Sequence, residues 1–567
     1  MHARTLLPLL SAFAGLSRAE RPQHMARGVQ TTASVSGIPV FPVINYGLLC
    51  ELSFLEDICA RILAPSRQVV TPLGLAQGVS DGAGSGVNRF VVKYASASRW
   101  AAPTVATQWQ LPNGSHNASA LPLACPQDNV DPSSYTEDCL SIILFVPTAL
   151  LPSSNVPTLM WIHGGSFITG SATNPGLDGS KLAVATNSIV AVIQYRLGAL
   201  GFMAPSGATN LGLQDTIAAM KFLAKVVPSF GGNAKKITVA GQSSGAGMIR
   251  ALLATPSASS LFQSAILQSD PMNYGFLNAS TQTLLQQTYN SLINCSPTDV
   301  QCQNALAIQD ILDAQDTLSS ESVVLDASTG IAEPIRPVRD GALITTPLDS
   351  TAPFPAVTKP ILLTNVRNEA GPTIYLQFQA VTPEVAFQPT LSALLGPSRA
   401  ATIDASGFYN TSVDDARQPL ESMGTDYMWR CPTWTFARNW VGHGGKAFVG
   451  LYMTGATYPF NADVPFCLEP GSVCHQDDIE IVFGTVPSPS PAQAALTAEM
   501  QARYKAFLNT GSPNVKGLMP WTAATTGSVH AHQLGGLPSP SGEIPPGACD
   551  PAFWGAAVPY DYQVFGI

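Results

Sequence analysis

Short, almost purely apolar runs recur along the chain, and most are rich in β-branched side chains. Residues 141–146, 158–162, 188–195, 264–268, 360–364 and 446–452 all have this form. A run apolar at every position, rather than at alternate ones, predicts a strand buried on both faces. Between the runs the period changes. Residues 215–227 place Ile217, Met220, Leu223 and Ala224 at helical spacing and stop at Pro228. Residues 492–508 predict a second helix that ends before Gly511. Strands alternating with helices predict an α/β fold, with a large, mostly parallel central sheet flanked by helices. Ahead of this region, residues 69–109 read as turn-rich β structure, including 88–94 and the stretch 99–103. No internal repeat or linker divides the chain.

One junction in this pattern carries chemistry. The run 235–240 leads into Gly241-Gln242-Ser243-Ser244-Gly245, followed by the small and apolar residues of a helix. Strand, Gly-x-Ser-x-Gly and helix in that order form a nucleophile elbow, which lifts one serine hydroxyl above the sheet. The two glycines let the turn close, because a Cβ there would meet neighbouring backbone. Gly78-Val79-Ser80-Asp81-Gly82 matches the same pattern but is followed by Gly84-Ser85-Gly86 and no helix, so it reads as a hairpin or loop. Ser243 is therefore the candidate nucleophile.

Composition narrows the surroundings of that site. Only 11% of residues are charged and 46% are hydrophobic, which suits a large core under a surface rich in the 46 prolines and 47 glycines. A net charge of −9 argues against nucleic acid or an anionic membrane surface as partner. No apolar run after the N-terminus reaches the length of a spanning helix, so stable membrane insertion is not expected. Residues 1–19 carry His2 and Arg4, an apolar stretch and Ser17-Arg18-Ala19, the pattern of a signal peptide. Ten cysteines and five sequons, at Asn113, Asn117, Asn278, Asn294 and Asn410, fit a secreted, extracellular protein. Residues 20–67 form an extension of unclear structure before a catalytic domain over 68–567. Within the extension, Cys50 and Cys59 bracket a stretch with short-helix spacing and are candidates to pair with each other.

A serine needs a base, and the base needs an orienting acid. In folds with an elbow the order is serine, acid, histidine. Downstream of Ser243 lie His443, in an apparent exposed turn, His475, in a polar loop ahead of a strand-like run, and His530 and His532, with no strand beside them. Glu369 follows the run 360–364. Upstream, Trp161-Ile162-His163-Gly164-Gly165-Ser166 supplies backbone amides after a strand, in the manner of an oxyanion hole. Because His163 precedes the nucleophile, it reads as a loop-shaping residue.

Together these pieces resemble the type-B carboxylesterase/lipase family, over roughly residues 69–554. The resemblance rests on Glu137-Asp138-Cys139-Leu140, His163-Gly164-Gly165, Tyr195-Arg196-Leu197-Gly198 and Asn210-Leu211-Gly212-Leu213-Gln214-Asp215. Phe230-Gly231-Gly232-Asn233, Asn368-Glu369-Ala370-Gly371 and His475 ahead of Ile481-Val482-Phe483-Gly484 complete it. It implies an α/β-hydrolase fold, a Ser243–Glu369–His475 triad, oxyanion donors on the amides of Gly165, Ser166 and Ser244, and a structural ion pair between Glu137 and Arg196. It also implies Cys125–Cys139 and Cys295–Cys302 disulfides, and leaves Cys467–Cys474 and Cys431–Cys549 as further pairings. The chain departs from the family in Gln242 and Ser244, where Glu and Ala are frequent, and in Ser166, where a third glycine is frequent. Neither a metal nor a cofactor is expected. The expected substrate is a small ester of short-to-medium acyl chain; a lipase, an amidase and a non-catalytic recognition protein of the same fold are the alternatives. The 125–139 loop is too short and polar for the amphipathic lid of family lipases, and it lacks the tryptophan with which cholinesterases hold choline.

Overall fold

The computed structural model describes residues 67–81, 85–349, 351, 353–536 and 542–567. The signal-like segment, Cys50 and Cys59 lie outside the described residues. The described strands are β1 (Gln68–Thr71), β2 (Gly74–Ser80), β3 (Val87–Lys93), β4 (Ala95–Ser96), β5 (Thr104–Val105), β6 (Ser141–Pro147), β7 (Val156–Ile162), β8 (Ile189–Ile193), β9 (Gly232–Gln242), β10 (Ser264–Gln268), β11 (Pro360–Val366), β12 (Lys446–Tyr452) and β13 (His532–Leu534). All but β4 and β5, which pair with each other, join one 11-stranded sheet in the order β1-β2-β3-β6-β8-β7-β9-β10-β11-β12-β13. The first four pairings are antiparallel and the rest, from β8 to β13, are parallel.

Alternate residues of each central strand enter different cores. Met160, Val239, Ala265 and Leu363 face one side, whereas Trp161, Ala240, Ile266 and Leu362 face the other. This two-sided burial is why the sequence shows unbroken apolar runs instead of alternation. Helices α1 (Ser180–Thr186), α2 (Leu211–Val226), α3 (Ser244–Leu253), α4 (Ala279–Leu292), α5 (Ile308–Leu325), α6 (Arg417–Thr425), α7 (Cys431–Gly442), α8 (Ile479–Phe483) and α9 (Pro491–Thr510) supply the covering layers. The helix expected over 215–227 begins earlier, at Leu211, after Asn210 in a left-handed conformation. Among the described residues four disulfides are formed: Cys125–Cys139, Cys295–Cys302, Cys431–Cys549 and Cys467–Cys474.

Two local expectations change. The run 479–483 is the short helix α8 and not a strand, because it packs against α9 beside α1 rather than pairing with the sheet. The stretch around His532, which showed no strand pattern, is the edge strand β13, held by parallel pairing to β12. The stretch 99–103 is a turn between β4 and β5.

Register positions the site. Ile162 pairs with Gly241, Gln242 with Gln268, and Gln268 with Thr364. The segments that leave β7, β9, β10 and β11 therefore emerge side by side at one edge of the sheet, where open parallel sheets bind ligands.

Candidate active site

Ser243 stands between β9 and α3 with φ 58° and ψ −130°, a strained conformation for a residue with a side chain. Its surroundings hold it there. The Ser243 amide donates to the Gln268 carbonyl at 2.9 Å, and the Ala246 and Gly247 amides donate to the Ser243 carbonyl. A Cβ on Gly245 would lie 2.2 Å from the Ile162 carbonyl oxygen, and one on Gly241 would lie 2.7 Å from the same atom. The elbow thus closes against β7 only with glycine at both positions. Ser80, by contrast, ends the exposed strand β2.

Glu369 and His475 meet on neighbouring loops. His475 Nδ1 lies 2.6 Å from Glu369 Oε2, while Glu369 Oε1 accepts from the Val366 amide at 2.9 Å. Glu369 is fully enclosed. Asn368 ties the loops together: its amide donates to the Val473 carbonyl, and its side-chain oxygen accepts from the Val473 amide. The Cys467–Cys474 disulfide then anchors the residue next to His475. Asp477 shapes the same turn by accepting from the amides of Cys474 and Tyr458 and from Asn461 Nδ2, and Asn461 Nδ2 also donates to the His475 carbonyl. Trp429 sets its ring 5.4 Å from the imidazole, an enclosure that no local sequence signal marks.

Opposite the elbow, Gly165, Ser166 and Phe167 take φ values of 116°, 51° and 62° in succession. This loop touches the serine, since a Cβ on Gly164 would lie 3.0 Å from Ser243 Cβ. Among the described residues, none of the amides of Gly165, Ser166 and Ser244 donates a hydrogen bond within the chain. Unpaired amides at a helix start and on an adjacent strained loop are the donors that a developing oxyanion requires. His163 is buried, stacks on Tyr195 at 4.7 Å, and is pushed down to a pKa of about 4 by burial. It shapes the loop as a neutral ring.

His475 has a partner that sequence spacing did not reveal. With the Nδ1 proton directed at Glu369, Nε2 carries the lone pair, and Gln242 Nε2 lies 3.1 Å from it as donor. Among the described residues the Ser243 hydroxyl makes no hydrogen bond. Asp478, a rival acid, is enclosed, accepts from Gln268, and is raised to about 6 by burial. Asp340 is spent on loop structure, accepting from the amides of Ala342, Leu343 and Ile344 and from Thr209 and Asn210.

The expected Glu137–Arg196 ion pair is not formed. Arg196 makes a two-pronged contact with Asp215, at 2.8 and 2.7 Å, and Glu137 makes one with Arg99, at 2.8 and 2.6 Å. The physical reason is burial. Arg196 is enclosed and needs an enclosed counter-ion, which Asp215 on α2 provides, whereas Glu137 remains partly exposed beside Arg99.

A serine elbow at the open edge of such a sheet, with an acid–histidine pair on the following loops, defines an α/β-hydrolase. The Carboxylesterase family model matches residues 65–535, and the chain belongs to that family. The cAMP-regulated D2 protein of Dictyostelium discoideum is 33% identical over 305 residues, covering 53% of this chain and 56% of the relative. The para-nitrobenzyl esterase of Bacillus subtilis (strain 168) is 32% identical over 307 residues, covering 49% of this chain and 61% of the relative. The chain thus spans little more than half the length of these curated relatives. The solved structure of a PNB esterase superposes with a TM-score of 0.67 at 26% identity, over 82% of this chain and 95% of that one. Among the described residues no helix is long and apolar enough to cross a membrane.

Proposed function

We propose that the protein is a secreted carboxylic ester hydrolase that works through an acyl-enzyme on Ser243. Substrate entry displaces the Gln242 amide from His475 and brings the Ser243 hydroxyl to Nε2. His475 takes the hydroxyl proton as the oxygen attacks the ester carbonyl, and Glu369 stabilises the imidazolium through Nδ1. The amides of Gly165, Ser166 and Ser244 receive the oxyanion, a contribution on the order of 10²–10³ in rate per donor. His475 then protonates the leaving alcohol, and water repeats the sequence to release the acid. The observation that carries this reading is the 2.6 Å Glu369–His475 contact beside a strained serine and three unpaired amides. The disulfides and the signal-like first 19 residues support secretion. The short, polar 125–139 loop supports soluble esters of short-to-medium acyl chain over acylglycerol droplets.

The test is Ser243→Ala together with a serine-directed phosphonate. The variant should fold and lose activity on a chromogenic ester by a factor on the order of 10⁶. Peptide mapping should find the adduct on Ser243 and not Ser80, in protein recovered from the culture medium. Normal turnover by Ser243→Ala sinks the reading.

A further inference from the structure

Behind the elbow lies a buried group of charges that the hydrolytic steps do not use. Arg250, on α3, pairs with Asp270 at 2.9 Å. Asp270 sits close to the oxyanion loop: a Cβ on Gly247 would lie 3.2 Å from the Phe167 ring and 3.6 Å from Asp270 Oδ1. Residues 328–336 pack beside this pair, and Arg336 fixes them. Its guanidinium donates to the carbonyls of Gly275, Thr329, Glu333, Tyr274 and Ser328, and lies 5.5 Å from the Tyr274 ring. The Ala332 amide donates to the Tyr274 hydroxyl at 3.1 Å. Every guanidinium nitrogen is thereby committed to main-chain oxygens, and none is hydrogen-bonded to the Glu333 carboxylate.

Glu333 is only 4% exposed, yet among the described residues no hydrogen bond or ion pair reaches its carboxylate. Its oxygens are also not sealed away, unlike the Ser244 hydroxyl or Asp478 Oδ1. They therefore keep some accessible surface, which the neighbouring groups locate. The Glu333 charge is felt by Tyr274 and by Tyr195, whose hydroxyl donates to the His163 carbonyl at the root of the oxyanion loop, and Glu333 itself feels the charge of His475. A carboxyl within electrostatic range of both Tyr195 and His475 lies near the elbow and the oxyanion loop. Burial raises its pKa to about 7, against the opposing pull of Arg336. An unpaired carboxyl in such a place is costly to the free protein, and a partner arriving with the substrate removes that cost.

We propose that Glu333 is a substrate-recognition residue whose carboxyl takes a hydrogen-bond donor, hydroxyl or ammonium, carried by the ester bound over Ser243. This rests on the ester-hydrolase reading and narrows its substrate class. A site built around a buried acceptor rejects the analogue without a donor far more strongly than a pocket rejects one methylene.

The experiment uses the purified full chain and two matched ester series. On the acyl side these are 4-nitrophenyl butyrate, 3-hydroxybutyrate and 3-aminobutyrate; on the alcohol side, butyl, 3-hydroxybutyl and 3-aminobutyl acetate. In at least one series a donor-bearing ester should exceed its plain analogue in kcat/KM by about tenfold or more. Glu333→Leu should bring that ratio near one. Glu333→Gln keeps an acceptor without the charge, so it should keep a hydroxyl preference and lose an ammonium preference, and it remains informative if Glu333→Leu does not fold. Wild-type ratios near one in both series overturn the proposal and leave the esterase reading intact. So does an equal loss on every ester in both variants. A folded wild type that hydrolyses none of the esters brings down the parent reading as well.

Discussion

At the scale of single residues, the contact between Gln242 and His475 has kinetic consequences. On the proposed mechanism the amide occupies the lone pair that receives the Ser243 proton, so each acylation first exchanges one hydrogen bond for another. A net hydrogen bond of this kind contributes about 0.5–1.5 kcal/mol. Gln242→Leu keeps the volume and removes the donor. It should raise the second-order rate of Ser243 phosphonylation, by up to about tenfold on that energy scale. Stopped-flow release of the phosphonate leaving group measures this directly; a rate equal to or below wild type means that the amide orients the imidazole productively instead of occupying it.

At the scale of elements, the loop leaving β7 depends on the neutral form of His163. Its folded pKa, about 4, lies below the ordinary value of 6.5 because burial disfavours the charged ring. The unfolded chain therefore binds a proton that the folded chain refuses as pH falls below 6.5. The stability that a neutral His163 contributes is present above that pH and is lost progressively towards 4. Between pH 7 and 4.5 the loss is on the order of 2–3 kcal/mol. His163→Phe keeps the stack on Tyr195 and cannot titrate. The drop in Tm between pH 7 and pH 4.5 should accordingly be smaller for His163→Phe than for wild type in calorimetry. An equal drop would assign the acid sensitivity to other groups.

At the scale of the whole molecule, the proposed preference for soluble esters rests on the loop that the Cys125–Cys139 disulfide closes. A lid works by exchanging an apolar underside for contact with an interface. Here the loop carries a single short helical turn at Pro132–Ser134, capped by Asp131, with no buried residue. Initial rates on tributyrin should rise smoothly through its solubility limit. A sharp increase as droplets form would point to a lid elsewhere and to a lipase.

The sequence by itself determined what rests on local sterics and apolar pattern. The two-sided strands, the elbow between β9 and α3, and the loops that carry Glu369 and His475 were all legible in short windows, because each is built from neighbouring residues. Tertiary structure alone decided what depends on which distant groups share an enclosed space. His475 lies 106 residues from Glu369 and 233 from Gln242, and no spacing rule relates Gln242 to its ring. Arg196 chose Asp215 over Glu137 because a buried guanidinium needs an equally buried carboxylate. The run 479–483 became a helix because α9 and α1 offered it a packing surface. Glu333, an ordinary acidic residue in the sequence, acquires its character only when residues 328–336 fold over Tyr274 and leave its carboxyl enclosed with no hydrogen bond or ion pair among the described residues.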